Sequence, residues 1–297
     1  MAFTPLESGI TRRYIARVTS PPVDRTVRSL RSRITLWRGA RQRIALVPTM
    51  GALHEGHISL VREARARAPK VAVSIFVNPA QFAPSEDFSA YPRTEAADVE
   101  KLSDLGVDVV FAPSVEEMYP EGFATAIEVA GPAEDLESVS RPHFFAGVAT
   151  VVAKLLMTVQ PDIAIFGEKD YQQLLVIKRM VTDLGMPIEI VGAPVVREAD
   201  GLALSSRNAY LSESERAAAP AIYAALLAAA AAIAGGVPAE KAIGEARSQI
   251  IAAGFRIDYV KLRNAETLKE IRQADVPARL LAAAWLGKTR LIDNVAV

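Results

Sequence analysis

The sequence predicts an α/β protein: a parallel sheet built from βαβ units, followed by a smaller α+β domain. Three observations predict it. Short β-branched runs alternate with longer segments of helical apolar spacing, polar clusters stand directly after several of those runs, and the pattern changes after about Asn208. The 297 residues suit two domains at roughly 100–200 residues each. The divisions fall at residues 1–22, a flexible extension; 23–196, the sheet domain; and 197–297, a smaller domain closing over the site.

Taken in order, residues 1–22 mix Arg12, Arg13 and Arg17 with Ser, Thr and Pro and lack the apolar stretch of a secretory signal. Apolar runs bounded by Gly, Pro or Asn predict strands at 44–48, 71–77, 107–112, 162–166 and 188–196. Between them, 57–67, 96–105, 149–159 and 171–184 carry helical spacing, with Gly106 and Gly185 placed as C-terminal caps. Beyond Asn208, Ser212 and two glutamates open an alanine-rich helix, and a second helix covers 239–253. Strands return at 257–262, 279–286 and 290–295, and Gly287-Lys288 predicts a tight hairpin between the last two.

Composition narrows the function. Residues 217–239 carry no charge and are long enough to span a bilayer. Their alanine content, Pro220, Gly235 and Gly236, and a stripe of Ile222, Leu226, Leu227 and Ile233 predict a soluble packing helix instead, with no membrane partner. Thirty-four basic residues balance thirty-four acidic ones, so the basic excess of a general nucleic-acid binder is missing. Cysteine is absent, which excludes a disulfide framework, a Cys-ligated zinc site and a thiol nucleophile, and fits a cytoplasmic setting.

In an open parallel sheet, ligands bind beyond the carboxyl ends of the strands. Four polar clusters sit there: Pro48-Thr49-Met50-Gly51-Ala52-Leu53-His54-Glu55-Gly56-His57, Asn78-Pro79-Ala80-Gln81, Gly167-Glu168-Lys169-Asp170 and Leu204-Ser205-Ser206-Arg207. Two of the three histidines stand three residues apart at the mouth of a helix. Unpaired N–H groups and the positive dipole end there favour phosphate, and glycines let backbone approach it. The zinc-protease pattern needs histidines four apart and does not fit. Lys169 and Arg207 add cations of the kind that nucleotidyl transfer needs for its developing charge. Taken singly, each of these residues also has a plain reading: surface charge for Lys169 and Arg207, helix-surface polarity for Gln81 and Gln173, and an N-cap for Asp170.

Residues 46–60, 76–82, 166–173 and 201–211, with the ending Leu286-Gly287-Lys288-Thr289-Arg290-Leu291-Ile292-Asp293-Asn294, resemble the pantothenate synthetase family. Leu53-His54-Glu55-Gly56-His57 alone indicates only the wider nucleotidylyltransferase superfamily, which includes class I aminoacyl-tRNA synthetases; the glutamine-bearing motifs make the resemblance specific. It implies a Rossmann-like sheet domain, a homodimer, and ATP-dependent joining of pantoate to β-alanine through a pantoyl adenylate, releasing AMP and pyrophosphate. Mg2+ is expected with ATP. No enzyme nucleophile is required.

Carried over by matched position, the resemblance implies that Met50 to His57 line the ATP site, with His57 the proton donor and His54 a second phosphate contact. Lys169 meets phosphate, Asp170 faces the ribose, Gly167 and Glu168 contact nucleotide, and Val196 reaches the adenine by its backbone. Leu204, Ser205, Ser206 and Arg207 close over the phosphates. Gln81 and Gln173 hold pantoate, Gln81 also meets β-alanine, Asn78 and Tyr91 shape the pocket, and Asp98 is the candidate metal-supporting carboxylate. The expected catalytic set is His54, His57, Lys169 and Arg207. Where the family reads Arg-Pro-Gly-His-Phe-Arg-Gly-Val, this chain reads Arg141-Pro142-His143-Phe144-Phe145-Ala146-Gly147-Val148; Phe144 takes the usual histidine position, and His143 is given no catalytic role. Another adenylyltransferase would share the histidine loop without needing the glutamines, and a non-catalytic nucleotide-binding module would release no pyrophosphate.

Overall fold

The computed structural model describes residues 20–82, 88–89 and 91–297. Residues 1–19 of the expected extension lie outside the described residues. Pro22 already belongs to the sheet edge, its carbonyl accepting the Val110 N–H at 2.9 Å.

Six parallel strands form the first sheet: β1 (Val23–Asp24), β2 (Ile44–Thr49), β3 (Lys70–Ile75), β4 (Val109–Phe111), β5 (Ile163–Gly167) and β6 (Glu189–Ala193). Their order is β1-β4-β3-β2-β5-β6. The connecting helices are α1 (Val27–Gly39), α2 (Glu55–Arg67), α3 (Glu95–Ser103), the single turns α4 (Val115–Met118) and α5 (Glu137–Ser140), α6 (Phe144–Val159) and α7 (Tyr171–Asp183). Side chains alternate across a strand, and β2 shows the result. Ile44 and Leu46 join α1, α6 and α7 in one core, whereas Ala45 and Val47 join α2 and α3 in another. Both sheet faces are therefore covered, a Rossmann-like arrangement built from the βαβ units that the alternating pattern predicts.

Among the described residues, β1, α1 and the single turns α4 and α5 go beyond the sequence expectation. Helix α1 is rich in arginine and fully buries only Leu30 and Ile34, so its apolar stripe is too thin to stand out. Strand β1 has two residues. Helix α6 begins at Phe144, not at 149, because Gly147 serves a tertiary contact described below that outweighs its poor helix propensity. Helix α2 begins at Glu55, with His54 as its cap.

The alanine-rich segment is two helices rather than one, α8 (Glu213–Ala218) and α9 (Ala221–Ala234). Pro220 lacks the N–H that a continuing helix would use. Glu213–Ala234 is long and apolar enough to cross a membrane by length and composition, yet Ile222, Leu226 and Ile233 are buried against the second sheet while Leu227 stays exposed. Helix α10 (Ala239–Ala252) packs beside α9. The second sheet is antiparallel, β7 (Arg256–Asn264), β8 (Ala278–Leu286) and β9 (Thr289–Ala296). Leu286 pairs with Thr289, leaving Gly287-Lys288 as the two-residue turn; Gly287 has φ 56°, as such turns require.

Candidate active site

Strands β2 and β5 are neighbours in the sheet, and the chain leaves them toward opposite edges. A crevice opens at such a switch point, beyond the carboxyl ends of the strands. Here it is a cavity of about 690 Å³, bordered by the segments after β2, β3, β5 and β6 and roofed in part by β9.

The segment after β2 turns sharply, with Gly51 at φ 85° and Ala52 at φ 50°. Asp98 of α3 holds it there. Its two oxygens accept the Ala52 and Leu53 N–H groups at 2.9 and 2.8 Å, and the Thr94 hydroxyl donates to it at 3.1 Å. A side chain at Gly51 would press against this carboxylate. Leu53 is consequently buried in the core below the sheet edge, and its carbonyl accepts from the Lys101 ammonium at 2.6 Å. Asp98 is fully buried, and both its oxygens accept hydrogen bonds from the loop they hold in place.

His54 and His57 cap helix α2 reciprocally. His54 Nδ1 accepts the Gly56 N–H at 3.1 Å, and His57 Nδ1 accepts the His54 N–H at 3.3 Å. In a neutral imidazole the accepting nitrogen carries no proton, so each ring keeps its hydrogen on Nε2. Both stay neutral at pH 7. Burial first, then the charges of Lys169 and Lys101, pull His54 down to about 4. Burial, followed by neighbouring His54 and the same lysines, pulls His57 down to about 3. The rings lie 4.1 Å apart between centroids, and both border the cavity. Glu55 instead faces solvent and pairs with Arg62.

On the β3 side, Asn78 is buried and fully engaged. It donates to the Gly147 carbonyl at 3.1 Å and to Gln81 Oε1 at 3.2 Å, and accepts the Tyr119 hydroxyl at 2.7 Å. This clasp needs glycine at 147, because any side chain there would run into the Ala80 carbonyl. Gln81 borders the cavity, its Nε2 donating to Met50 Sδ at 2.7 Å. Arg141 donates to the Gln81 carbonyl at 3.1 Å and stacks on the Phe144 ring at 3.7 Å from its centroid. The Phe144 aromatic thus supports a guanidinium beside Gln81. His143 is exposed. Tyr91 is buried edge-on to Phe82; burial raises its pKa above the ordinary tyrosine value, with the Ser206 hydroxyl as a partner.

After β5, Gly167, Lys169 and Asp170 border the cavity, while the Glu168 carboxylate turns to Arg279 of β8 at 3.0 Å. Gln173 reaches the cavity. Its neighbour Gln172 also borders the cavity, but its amide is engaged elsewhere: it accepts the Glu137 N–H at 3.1 Å and donates to the Pro132 and Asp135 carbonyls at 2.9 and 3.2 Å. That grip holds a turn in which Asp135 and Leu136 both have positive φ, a costly conformation that persists only when its surroundings over-determine it. The last loop meets the first, Ser206 Oγ donating to the Ala52 carbonyl at 3.3 Å. Val196 accepts the Leu204 N–H at 3.0 Å, and Leu204, Ser205, Ser206 and Arg207 all border the cavity.

Two neutral Nε2–H donors, an ammonium and a guanidinium thus face the same space as two carboxamides that can both donate and accept. The set suits a polyanion held beside a polar, hydroxyl-bearing ligand. Among the described residues no group of three or more His, Asp or Glu side chains gathers to hold a metal ion. Sequence reasoning missed Gln172, Lys101 and Arg197, which hold main-chain carbonyls around the site, and Tyr119 and Arg279, which hold the Asn78 and Glu168 side chains; none carries a spacing signal.

A sequence model of the family described as pantoate-beta-alanine ligase matches residues 23–296. The pantothenate synthetase of Caulobacter vibrioides is 57% identical over 284 residues, covering 94% of this chain and 100% of that one. That of Mesorhizobium japonicum is 56% identical over 281 residues, covering 94% and 99%. Among solved structures, pantothenate synthetase from Thermus thermophilus matches with a TM-score of 0.88 at 48% identity, covering 92% and 98%. The pantoate-beta-alanine ligase of Francisella tularensis, complexed with beta-gamma ATP and beta-alanine, matches with a TM-score of 0.77 at 35% identity, covering 93% and 97%.

Proposed function

The chain belongs to the pantoate-beta-alanine ligase family, and from that premise we propose that it condenses pantoate with β-alanine at the expense of ATP, through a pantoyl adenylate. One observation carries the reading: the reciprocal His54 and His57 cap opens onto the same cavity as Lys169, Gln81 and Gln173. Phosphate donors and carboxylic-acid readers share one space, as attack of a carboxylate on a phosphorus requires.

In the first step a pantoate carboxylate oxygen bonds to the α-phosphorus, and the bond from that phosphorus to the bridging oxygen breaks, so pyrophosphate leaves with the electron pair. His54 and His57 donate through Nε2–H, Lys169 and Arg207 supply positive charge, and the turn at Gly167 to Asp170 frames the nucleotide. Pre-placed donors act on developing charge without reorganising. In the second step the free amine of β-alanine attacks the adenylate carbonyl, the bond from carbon to the phosphate oxygen breaks, and AMP departs while the amine loses a proton. Gln81 and Gln173 hold pantoate throughout.

Mg2+ enters this reading as part of the nucleotide substrate, because the described residues offer no ligand cage and this ion commonly sits on substrate phosphates. Residues 197–297 act as the smaller domain closing over the site, and the assembly is a homodimer, tested by sedimentation. The functional test mixes the chain with ATP, pantoate and β-alanine and follows AMP, pyrophosphate and pantothenate. All three should appear in equal amounts. A product retaining AMP would indicate a different adenylyltransferase, and absence of pyrophosphate a binding module.

A further inference from the structure

Asp293 and Asn294 close the final motif of the sequence, and the reaction above gives neither a task. Consecutive strand residues point to opposite faces, and on β9 this pair reaches two loops at once. Asp293 faces α9 and takes both terminal nitrogens of Arg197 at 2.6 and 2.8 Å. Arg197 in turn stacks on Tyr223 and donates to the Gly201 carbonyl at 3.0 Å, at the root of the loop carrying Ser205 to Arg207. Asn294 faces the parallel sheet. Its Nδ2 donates to the main-chain carbonyls of Glu168 and Lys169 at 2.9 and 3.0 Å. Beside it, Arg279 of β8 holds the Glu168 carboxylate and stacks on Tyr171 at 3.8 Å.

Two carbonyl acceptors fix which end of the Asn294 amide points at the turn. Its Oδ1 is then left buried without a hydrogen-bond partner. An orphaned acceptor costs stability, and an apolar side chain of similar size would serve packing better. The carboxamide is therefore explained by its two donated bonds. They anchor the turn from which Lys169 extends toward the two histidines.

We propose that Asn294 is a positioning residue for Lys169, through which the C-terminal sheet sets the geometry of the phosphate site by gripping the Glu168 and Lys169 main chain. The inference rests on the proposed ligase reaction. It goes beyond it in assigning the last strand a part in the adenylation step.

The test is pantoate-dependent exchange of labelled pyrophosphate into ATP, measured on the full chain for wild type, Asn294→Ala, Lys169→Ala and the double variant, with pantoate affinity by calorimetry and thermal unfolding alongside. A small misplacement of a reacting group can cost about 100-fold in rate. Asn294→Ala should slow exchange by about 10- to 100-fold while pantoate affinity stays within about twofold. In the Lys169→Ala background the same change should cost less than about twofold, since residues acting as a unit are non-additive. Equal losses in both backgrounds, or exchange at the wild-type rate in Asn294→Ala, would overturn the proposal. Should Asn294→Ala fail to fold, Asn294→Leu, which keeps bulk and removes the orphaned acceptor, carries the same expectations. Wild-type protein without pantoate-dependent exchange would instead sink the ligase reading itself.

Discussion

Arg290 on β9 grips Glu137 of α5 with both terminal nitrogens, at 2.7 and 2.8 Å, across 153 residues of sequence. The Tyr259 hydroxyl donates to the same carboxylate at 2.7 Å. Burial and the Glu137 charge push that hydroxyl's pKa well above the ordinary value, so it remains a donor. Asp258 takes the guanidinium from the other side at 2.7 Å. This cluster fastens the second sheet to the segment that leads into Arg141 and Phe144.

Glu137→Ala leaves a largely buried arginine short of its main partner. Breaking a buried pair typically costs about 3–5 kcal/mol, and the remaining Asp258 contact places this variant at the lower end. Urea unfolding should register a loss of about 3 kcal/mol; a loss below about 1 kcal/mol would mean the cluster behaves as an exposed ion pair.

The histidine cap makes a prediction about pH. The folded protein holds His54 and His57 neutral down to about 4 and about 3, against the ordinary histidine value of 6.5. Below pH 6.5 the unfolded chain therefore binds more protons, and stability falls as pH drops from 6.5 toward 4; above 6.5 this contribution is fully present. The double variant His54→Gln, His57→Gln should flatten the pH dependence of unfolding in that window. Ring proton shifts in NMR should move little for both histidines between about pH 8 and 5. Two histidines titrating near their ordinary value would contradict the cap geometry.

Asp98→Asn replaces one of two loop-holding oxygens with a donor facing backbone N–H. A buried group left unsatisfied costs about 1–3 kcal/mol, so the variant should unfold at lower urea and adenylate slowly through a misplaced histidine loop. The Mg2+ concentration for half-maximal rate should stay at the wild-type value. A marked rise in that concentration, with stability unchanged, would return Asp98 to the metal.

Gln173→Leu keeps much of the side-chain bulk and removes both amide functions. Pantoate affinity should fall by about 1–3 kcal/mol, whereas ATP affinity, which depends on the loops at His54, Lys169 and Ser206, should hold. Equal losses for the two ligands in calorimetric titration would assign Gln173 to the fold.

Much of this is legible in the sequence for a physical reason. Buried parallel strands are short apolar runs, and ligand loops follow their ends, so β2, β3 and β5 with the histidine, asparagine and lysine clusters can be read directly. The hairpin at Gly287-Lys288 is legible because its turn demands particular residues. What stays hidden depends on contacts distant in sequence. Helix α1 looks polar since only one narrow stripe is buried, and the start of α6 is set by Gly147 meeting Ala80. Asp98 reads as a surface or metal carboxylate; nothing local says that Ala52 and Leu53 will donate to it from 45 residues or more away. Gln172 and Gln173 are indistinguishable by type and both border the cavity, and only the folded chain shows that the Gln172 amide is taken up by a turn.

The central claim is that an adenylate of pantoate forms before β-alanine is needed. The most direct measurement is the entry of labelled pyrophosphate into ATP in the presence of ATP, Mg2+ and pantoate, with and without β-alanine. Label should enter ATP when pantoate is present and β-alanine is absent, and should not enter when pantoate is omitted. Entry of label only after β-alanine is added would contradict the two-step account.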